Sequence, residues 1–210
     1  MIDFNQKTEF DSIDYPTLAG ICRECQRCGL AATRTNVVVG SGPVPCDLRI
    51  IGEGPGEQED LKGLPFIGKA GQLLTKILEA ANIDRETSVY IANTVKCRPP
   101  QNRTPLPTEI EACKPYLLRQ IQLVKPKILL LLGSPALRTI LEESLPITKV
   151  RGEWVTAEVD YMEQPLYIMT LFHPSYLLRQ QSREKGSPKW LTWKDMLEVA
   201  SALSFYKEPL

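Results

Sequence analysis

His173 is the only histidine in the chain, and it directly follows the apolar run Leu166–Thr170 at the turn Leu171-Phe172-His173-Pro174-Ser175. An imidazole can donate, accept or hold a proton near neutrality. A second stretch with chemical capacity runs from Leu48 to Phe66. It opens with the apolar run Leu48–Ile51 and breaks into Gly52-Glu53-Gly54-Pro55-Gly56, with Glu57, Glu59 and Asp60 following. Position 57 is Glu where the dinucleotide fingerprint needs its third glycine, and carboxylates repel a pyrophosphate. Acids at a strand end suit activation of water or stabilisation of a developing cation; the plain alternative is a solvated acidic turn. Asn93 ends another apolar run, Val89–Ala92. Its amide carries a donor and an acceptor on one side chain and so matches the N3–H and O4 edge of a pyrimidine; a turn cap is the competing role. Phe66, after Gly63-Leu64-Pro65, is either core or a stacking platform.

The cysteines form a third group. Cys22-x-x-Cys25-x-x-Cys28 is a compact thiol array, and Cys97 and Cys113 add two distant thiols, with Cys46 apart. Four of them can bind zinc or an iron–sulfur cluster. Zinc ribbons use two short Cys-x-x-Cys knuckles, whereas the second pair here is widely spaced, which favours the bulkier cluster. Spacing alone does not decide between Cys22 and its neighbours.

These residues need elements to hold them. Leu48–Ile51, Val89–Ala92, Ile128–Leu132 and Leu166–Thr170 read as core strands, and Val37–Val39 as a short one. Leu73, Leu74, Ile77 and Leu78 fall at helical spacing within 72–81. Thr108 with Glu111 predicts a capping box opening a helix to Val124 that contains Cys113. Ser134-Pro135 begins another helix, and 190–205 a last one; 151–159 reads as a hairpin. Strands alternating with helices predict a three-layer αβα fold around a central four-stranded parallel sheet. Glu53, Asn93, Ser134 and His173 would then converge at the strands' C-terminal edge. The 210 residues fit one domain, 1–210, with 1–20 as a lead-in.

Composition narrows the function only a little. Lys+Arg and Asp+Glu are both 25, so net charge argues neither for nor against nucleic acid. The longest purely apolar run, Ile128–Leu132, is far too short to span a bilayer. No charged-then-apolar leader opens the chain, so a cytoplasmic protein is expected. In a reducing compartment six cysteines point to metal, cluster or catalytic use.

Four motifs combine: Gly52-Glu53-Gly54-Pro55-Gly56-Glu57-Gln58-Glu59-Asp60, Gly63-x-Pro65-Phe66-x-Gly68-x-Ala70-Gly71, Asn93-x-x-x-Cys97-x-Pro99, and His173-Pro174-Ser175-Tyr176-Leu177-Leu178. Together they resemble family 4 uracil-DNA glycosylases, the bacterial and archaeal enzymes that carry a 4Fe-4S cluster. Leu30, Arg34-Thr35, Val37 and Gly40-x-Gly42 fit that family's pattern when Cys25 and Cys28 are ligands, which leaves Cys22 spare. A related branch that forms covalent DNA adducts through a histidine in an inserted loop is excluded, because the chain has no second histidine.

The resemblance implies hydrolysis of the N-glycosidic bond of uracil in DNA, initiating base excision repair. It implies Glu53 and His173 as catalytic residues and Gly54, Glu59, Phe66 and Asn93 around the uracil. Glu59 and Asp60 would serve as pocket wall or loop-fixing residues. Pro174, Ser175, Tyr176, Leu177 and Arg179 would meet DNA, with Arg183, Arg98 and Arg103 near phosphate. Cys25, Cys28, Cys97 and Cys113 would hold the cluster. A monomer acting on single- or double-stranded uracil-containing DNA, without membrane association, is expected. The alternatives are a non-catalytic iron–sulfur nucleic-acid-binding module and a zinc-stabilised hydrolase of free nucleosides.

Overall fold

Ile128–Leu132 is apolar at every position, so it must be covered on both faces, and a parallel sheet between helix layers is the structure that does this. The computed structural model describes residues 1–205. In chain order its elements are α1 (Tyr15–Arg23), β1 (Leu48–Gly52), α2 (Glu57–Lys62), α3 (Lys69–Ala80), α4 (Arg85–Ser88), β2 (Val89–Asn93), α5 (Pro107–Val124) and β3 (Ile128–Leu132). They continue with α6 (Ser134–Leu141), α7 (Ile147–Val150), β4 (Trp154–Ala157), β5 (Leu166–Leu171), α8 (Pro174–Leu178) and α9 (Pro188–Phe205). The sheet order is β2-β1-β3-β5-β4. The first four strands are parallel and β4 joins the edge antiparallel to β5.

The three layers follow from alternation along the strands. Leu48, Ile50, Leu130 and Leu132 face one side, against Leu74 and Leu78 of α3 and Met196 and Val199 of α9. Ile51, Leu129 and Leu131 face the other, against Leu117 and Ile121 of α5 and Ile140 of α6. Among the described residues no helix is long and apolar enough to cross a membrane.

Several expectations change. The sheet has five strands, not four. Trp154–Ala157 is half-exposed, exposed, exposed and buried in turn, so it lacks the alternation that marks a strand. Its end is anchored by Arg151, whose guanidinium pairs with the buried Asp195 of α9. Val37–Val39 is not a strand; the Val38 amide donates to the Lys96 carbonyl at 2.7 Å, and Ser41 makes a single antiparallel bridge with Ile91. The α5 cap is Leu106 rather than Thr108. Pro107 takes the first helical position, so Glu109 is the carboxylate that folds back to accept from the Leu106 amide at 2.8 Å. The acids after Gly56 form the first turn of α2, where the helix dipole favours them.

β1 and β3 are neighbours, and the chain leaves β1 for β2 on one side and β3 for the β5-β4 edge on the other. The crevice beyond the C-terminal ends of such a pair is where open α/β sheets take ligands.

Candidate active site

A cavity of about 220 Å³ opens at that edge. Glu53 after β1, Asn93 at the end of β2, His173 after β5, and Gly54, Glu59, Phe66 and Ser175 all line it. The strand ends thus bring together residues up to 120 positions apart, as the topology predicted for Glu53, Asn93 and His173; Ser134, expected with them, is not part of the lining. Gly52 and Asn93 are register partners, so the cavity floor is the last rung of the β1–β2 ladder.

Asn93 is 1% exposed, and its Oδ1 finds no donor. A buried amide oxygen without a partner is costly unless a ligand supplies the hydrogen bond. Phe66 forms the wall beside it, buried, with a left-handed φ of 52°. Such a conformation is strained in a bulky residue and persists only where its surroundings impose it. Gly71 in the first turn of α3 is one cause: a Cβ there would overlap the Phe66 carbonyl. Gly52 is another close approach, since a Cβ on it would sit 2.5 Å from both Asn93 Oδ1 and the Phe66 ring. Gly71→Ala should therefore displace Phe66 and overpack the first turn of α3, lowering stability by about 1–3 kcal/mol. Thermal melting would measure the loss, and an unchanged melting temperature would show that the Phe66 backbone is free to move.

His173 lies with its ring centroid 5.8 Å from that of Phe66. It caps α8, and the Ser175 amide donates to its Nδ1 at 3.1 Å. A backbone N–H can only donate, so Nδ1 must be the unprotonated nitrogen and the ring proton is on Nε2. Burial pulls the imidazole pKa down to about 4, Arg179 adds to the fall and Glu59 opposes it. His173 is thus a neutral donor through Nε2–H at any pH near 7. Burial raises the Glu53 carboxyl above its ordinary range, and a hydrogen bond with the Thr104 side chain opposes the rise.

Glu59 and Asp60 act on loops. Glu59 Oε1 accepts from the Ile67 and Gly68 amides at 2.9 and 2.8 Å, fixing the turn after Phe66. Asp60 is buried and accepts from the Thr35 and Asn36 amides, at 2.9 and 3.2 Å.

The residues expected to meet DNA divide. Ser175 and Tyr176 are half-buried on α8 and Arg179 is exposed, as is Arg183. Pro174 and Leu177 are buried instead, and Leu178, 48% exposed, is the leucine that faces solvent. Arg98 and Arg103 are occupied within the protein: Arg98 Nε donates to Asn102 at 2.8 Å and Arg103 forks onto Glu109 at 2.9 and 2.6 Å.

Five of the six cysteines gather around a second pocket, which the other end of the Asn93–Cys97 segment lines with Lys96 and Cys97. Cys25, Cys28, Cys97 and Cys113 line it, with Arg34 and Lys96. Cys22 reaches it too, from within the apolar packing of Phe10, Leu18 and Val39. Cys46 is elsewhere, its thiol donating to the Leu48 carbonyl at 3.3 Å. Among the described residues no three His, Cys, Asp or Glu side chains meet at a single-ion site; the thiols ring a space. Burial raises the thiols of Cys22 and Cys113 to about 12, and that of Cys97 in the same direction against a hydrogen bond from Arg34. Thiols so placed become thiolates only against a strong positive charge, which a soft metal group supplies.

Sequence reasoning gave no role to four contributors, two of them glycines of the quoted motifs. Gly52 and Gly71 matter through close approach, Thr104 through its bond to Glu53, and Lys96 through burial.

Residues 39–197 match the family model of the uracil DNA glycosylase superfamily. A type-4 uracil-DNA glycosylase of Thermotoga maritima is 48% identical over 77% of this chain and 82% of its own length. That of Archaeoglobus fulgidus is 40% identical over 80% and 87%, and that of Saccharolobus solfataricus 39% over 92% and 88%.

Proposed function

The chain belongs to the uracil DNA glycosylase superfamily, among its type-4 members, and from that premise we propose how its residues divide the excision of uracil from DNA. The observation that carries the division is the unpaired, buried Oδ1 of Asn93 in a cavity walled by Phe66. A uracil flipped out of the stack fits that need. Its N3–H donates to Asn93 Oδ1, the amide N–H donates to O4, and Phe66 stacks on the ring. Cytosine has no N3–H and presents an amino group in place of O4, so it would leave the amide mispaired.

When the bond from C1′ to N1 breaks, its electron pair passes into the base and negative charge grows on O2. His173 donates Nε2–H to that oxygen and, being neutral and already oriented by Ser175, needs no reorganisation. The sugar becomes oxocarbenium-like. Glu53 holds the attacking water, stabilises the cation and takes the proton as the oxygen adds to C1′. The products are free uracil and an abasic site. Ser175, Tyr176 and the exposed Leu178 meet the DNA beside the flipped base, with Arg179 and Arg183 on phosphate; Pro174 and Leu177 support α8 from within. The protein acts as a monomer of one domain.

A 4Fe-4S cluster fits the pocket of Cys25, Cys28, Cys97 and Cys113. It would act as a clasp between the segment after α1 and the β2–α5 connection. The soft thiol donors, the ring they form around a space and the cations beside them, Arg27, Arg34 and Lys96, support it.

Incubation with a uracil-containing oligonucleotide followed by alkaline cleavage tests the activity. In the same assay His173→Ala should slow single-turnover excision about 10²-fold or more, the scale of one oxyanion donor, with DNA affinity little changed. Near-normal excision by His173→Ala would remove the residue from the reaction.

A further inference from the structure

Lys96 is 1% exposed, and its Nζ donates to the Asn93 main-chain carbonyl at 2.7 Å. A buried ammonium is costly unless opposite charge lies near. Cys113 and Cys97, from the proposed ligand set, lie near enough to supply opposite charge as thiolates, and among the described residues no carboxylate is paired with it. Four thiolates around a 4Fe-4S core leave a net negative charge, which the Lys96 ammonium and the Arg34 guanidinium at the same pocket offset. One lysine therefore touches both sites. Its charge belongs to the cysteine pocket and its hydrogen bond belongs to the residue that reads the base.

We propose that Lys96 is a positioning residue for base recognition, holding the Asn93 backbone in place from the cysteine pocket. This rests on Asn93 as the reader of uracil. The neighbouring constraints leave this hydrogen bond a distinct job. The Thr94 amide donates to the Gly52 carbonyl at 2.9 Å and the Thr94 hydroxyl to that of Glu53, so the segment is tied to β1 beyond Asn93. The carbonyl of Asn93 itself is held by Lys96. Tilting that peptide would swing the amide against N3–H and O4, and small misplacements of this kind cost up to about 10²-fold in rate.

The test uses the iron-loaded protein. Lys96→Met keeps length and burial and removes the charge and the donor. It should keep its visible absorbance and iron content, shift the cluster's reduction potential negative, and lower excision about 10-fold to 100-fold. It should also lose preference for DNA bearing 2′-fluoro-2′-deoxyuridine, which resists cleavage, over the same DNA bearing thymidine. The decisive readout is coupling. In an Asn93→Ala background Lys96→Met should have almost no further effect, because a residue acting through Asn93 has nothing left to position. Lys96→Arg, which restores charge and donor, should recover part of the loss. Full additivity with Asn93→Ala, or wild-type base preference in Lys96→Met, would overturn the proposal. If Lys96→Met loads no iron, Lys96→Gln decides by the same coupling measurement. An Asn93→Ala protein that still prefers uracil would instead refute the reading of Asn93, a separate result.

Discussion

Glu53→Ala is expected to slow single-turnover uracil excision on the order of 10²–10⁴-fold, the range of a positioned acid–base group, with affinity for uracil-containing DNA nearly retained. The pH profile gives the role away. Burial raises the Glu53 pKa, and the working form is the carboxylate. The wild-type rate should therefore fall as pH drops, with the acid limb displaced upward from the ordinary carboxylate range. Glu53→Gln should flatten that limb as well as lower the rate. His173 adds no limb near 6.5, since burial holds its pKa near 4 and the ring is neutral near pH 7; Glu53→Gln separates the two groups, because a limb that survives it belongs to His173. A Glu53→Ala protein as fast as the parent would move the water to another group, such as a backbone carbonyl of the same loop.

Cys25→Ser, Cys28→Ser, Cys97→Ser and Cys113→Ser should each bleach the brown absorbance of anaerobically purified protein and lower its melting temperature. These four line one pocket and come from three parts of the chain, so a lost ligand frees the segment after α1 from the start of α5. The segment between α1 and β1 has few apolar anchors of its own, Leu30, Val38 and Val39 among them. Removal of a structural metal group commonly costs much of the folding free energy of such a region. Cys46→Ser should change neither colour nor melting, since its thiol faces the Leu48 carbonyl. Cys22→Ser should keep its colour as well, because Leu30 and Arg34-Thr35 follow Cys28 at the family's spacing only when Cys25 and Cys28 are the ligands. A colourless Cys22→Ser would reassign the ligands, and equal iron in all six variants would remove the cluster from the protein.

The parts of the site that lie directly on strand ends were legible in the sequence. Glu53, Asn93 and His173 each follow an apolar run, and parallel topology sends all such ends to one edge. The rest depends on contacts between distant segments. Gly71 and Phe66 meet because a helix start lies against a left-handed residue, and no period encodes that. Lys96 looks like any surface lysine until β2 and α5 enclose it. In α8, five residues are too few for a helical period, so Leu177 and Leu178 could not be assigned to opposite faces. Arg103 looked free for phosphate because its partner Glu109 lay across a helix cap that had been placed at Thr108. The hairpin expected over 151–159 is a single strand, β4, whose partner is the distant β5; its exposed residues Val155 and Thr156 are adjacent, not alternate.

The six residues of α2 have a further consequence. Glu59 and Asp60 are consecutive, yet they point about 100° apart on the helix, one to the amides of Ile67 and Gly68 and the other to those of Thr35 and Asn36. A substitution elsewhere on α2 leaves both attachments in phase. Inserting or deleting a single residue between Gly56 and Glu59 would turn both carboxylates by the same angle and release two loops at once. The expected pattern is tolerance of substitution at the exposed Gln58 and Leu61 and intolerance of any change in the length of this stretch.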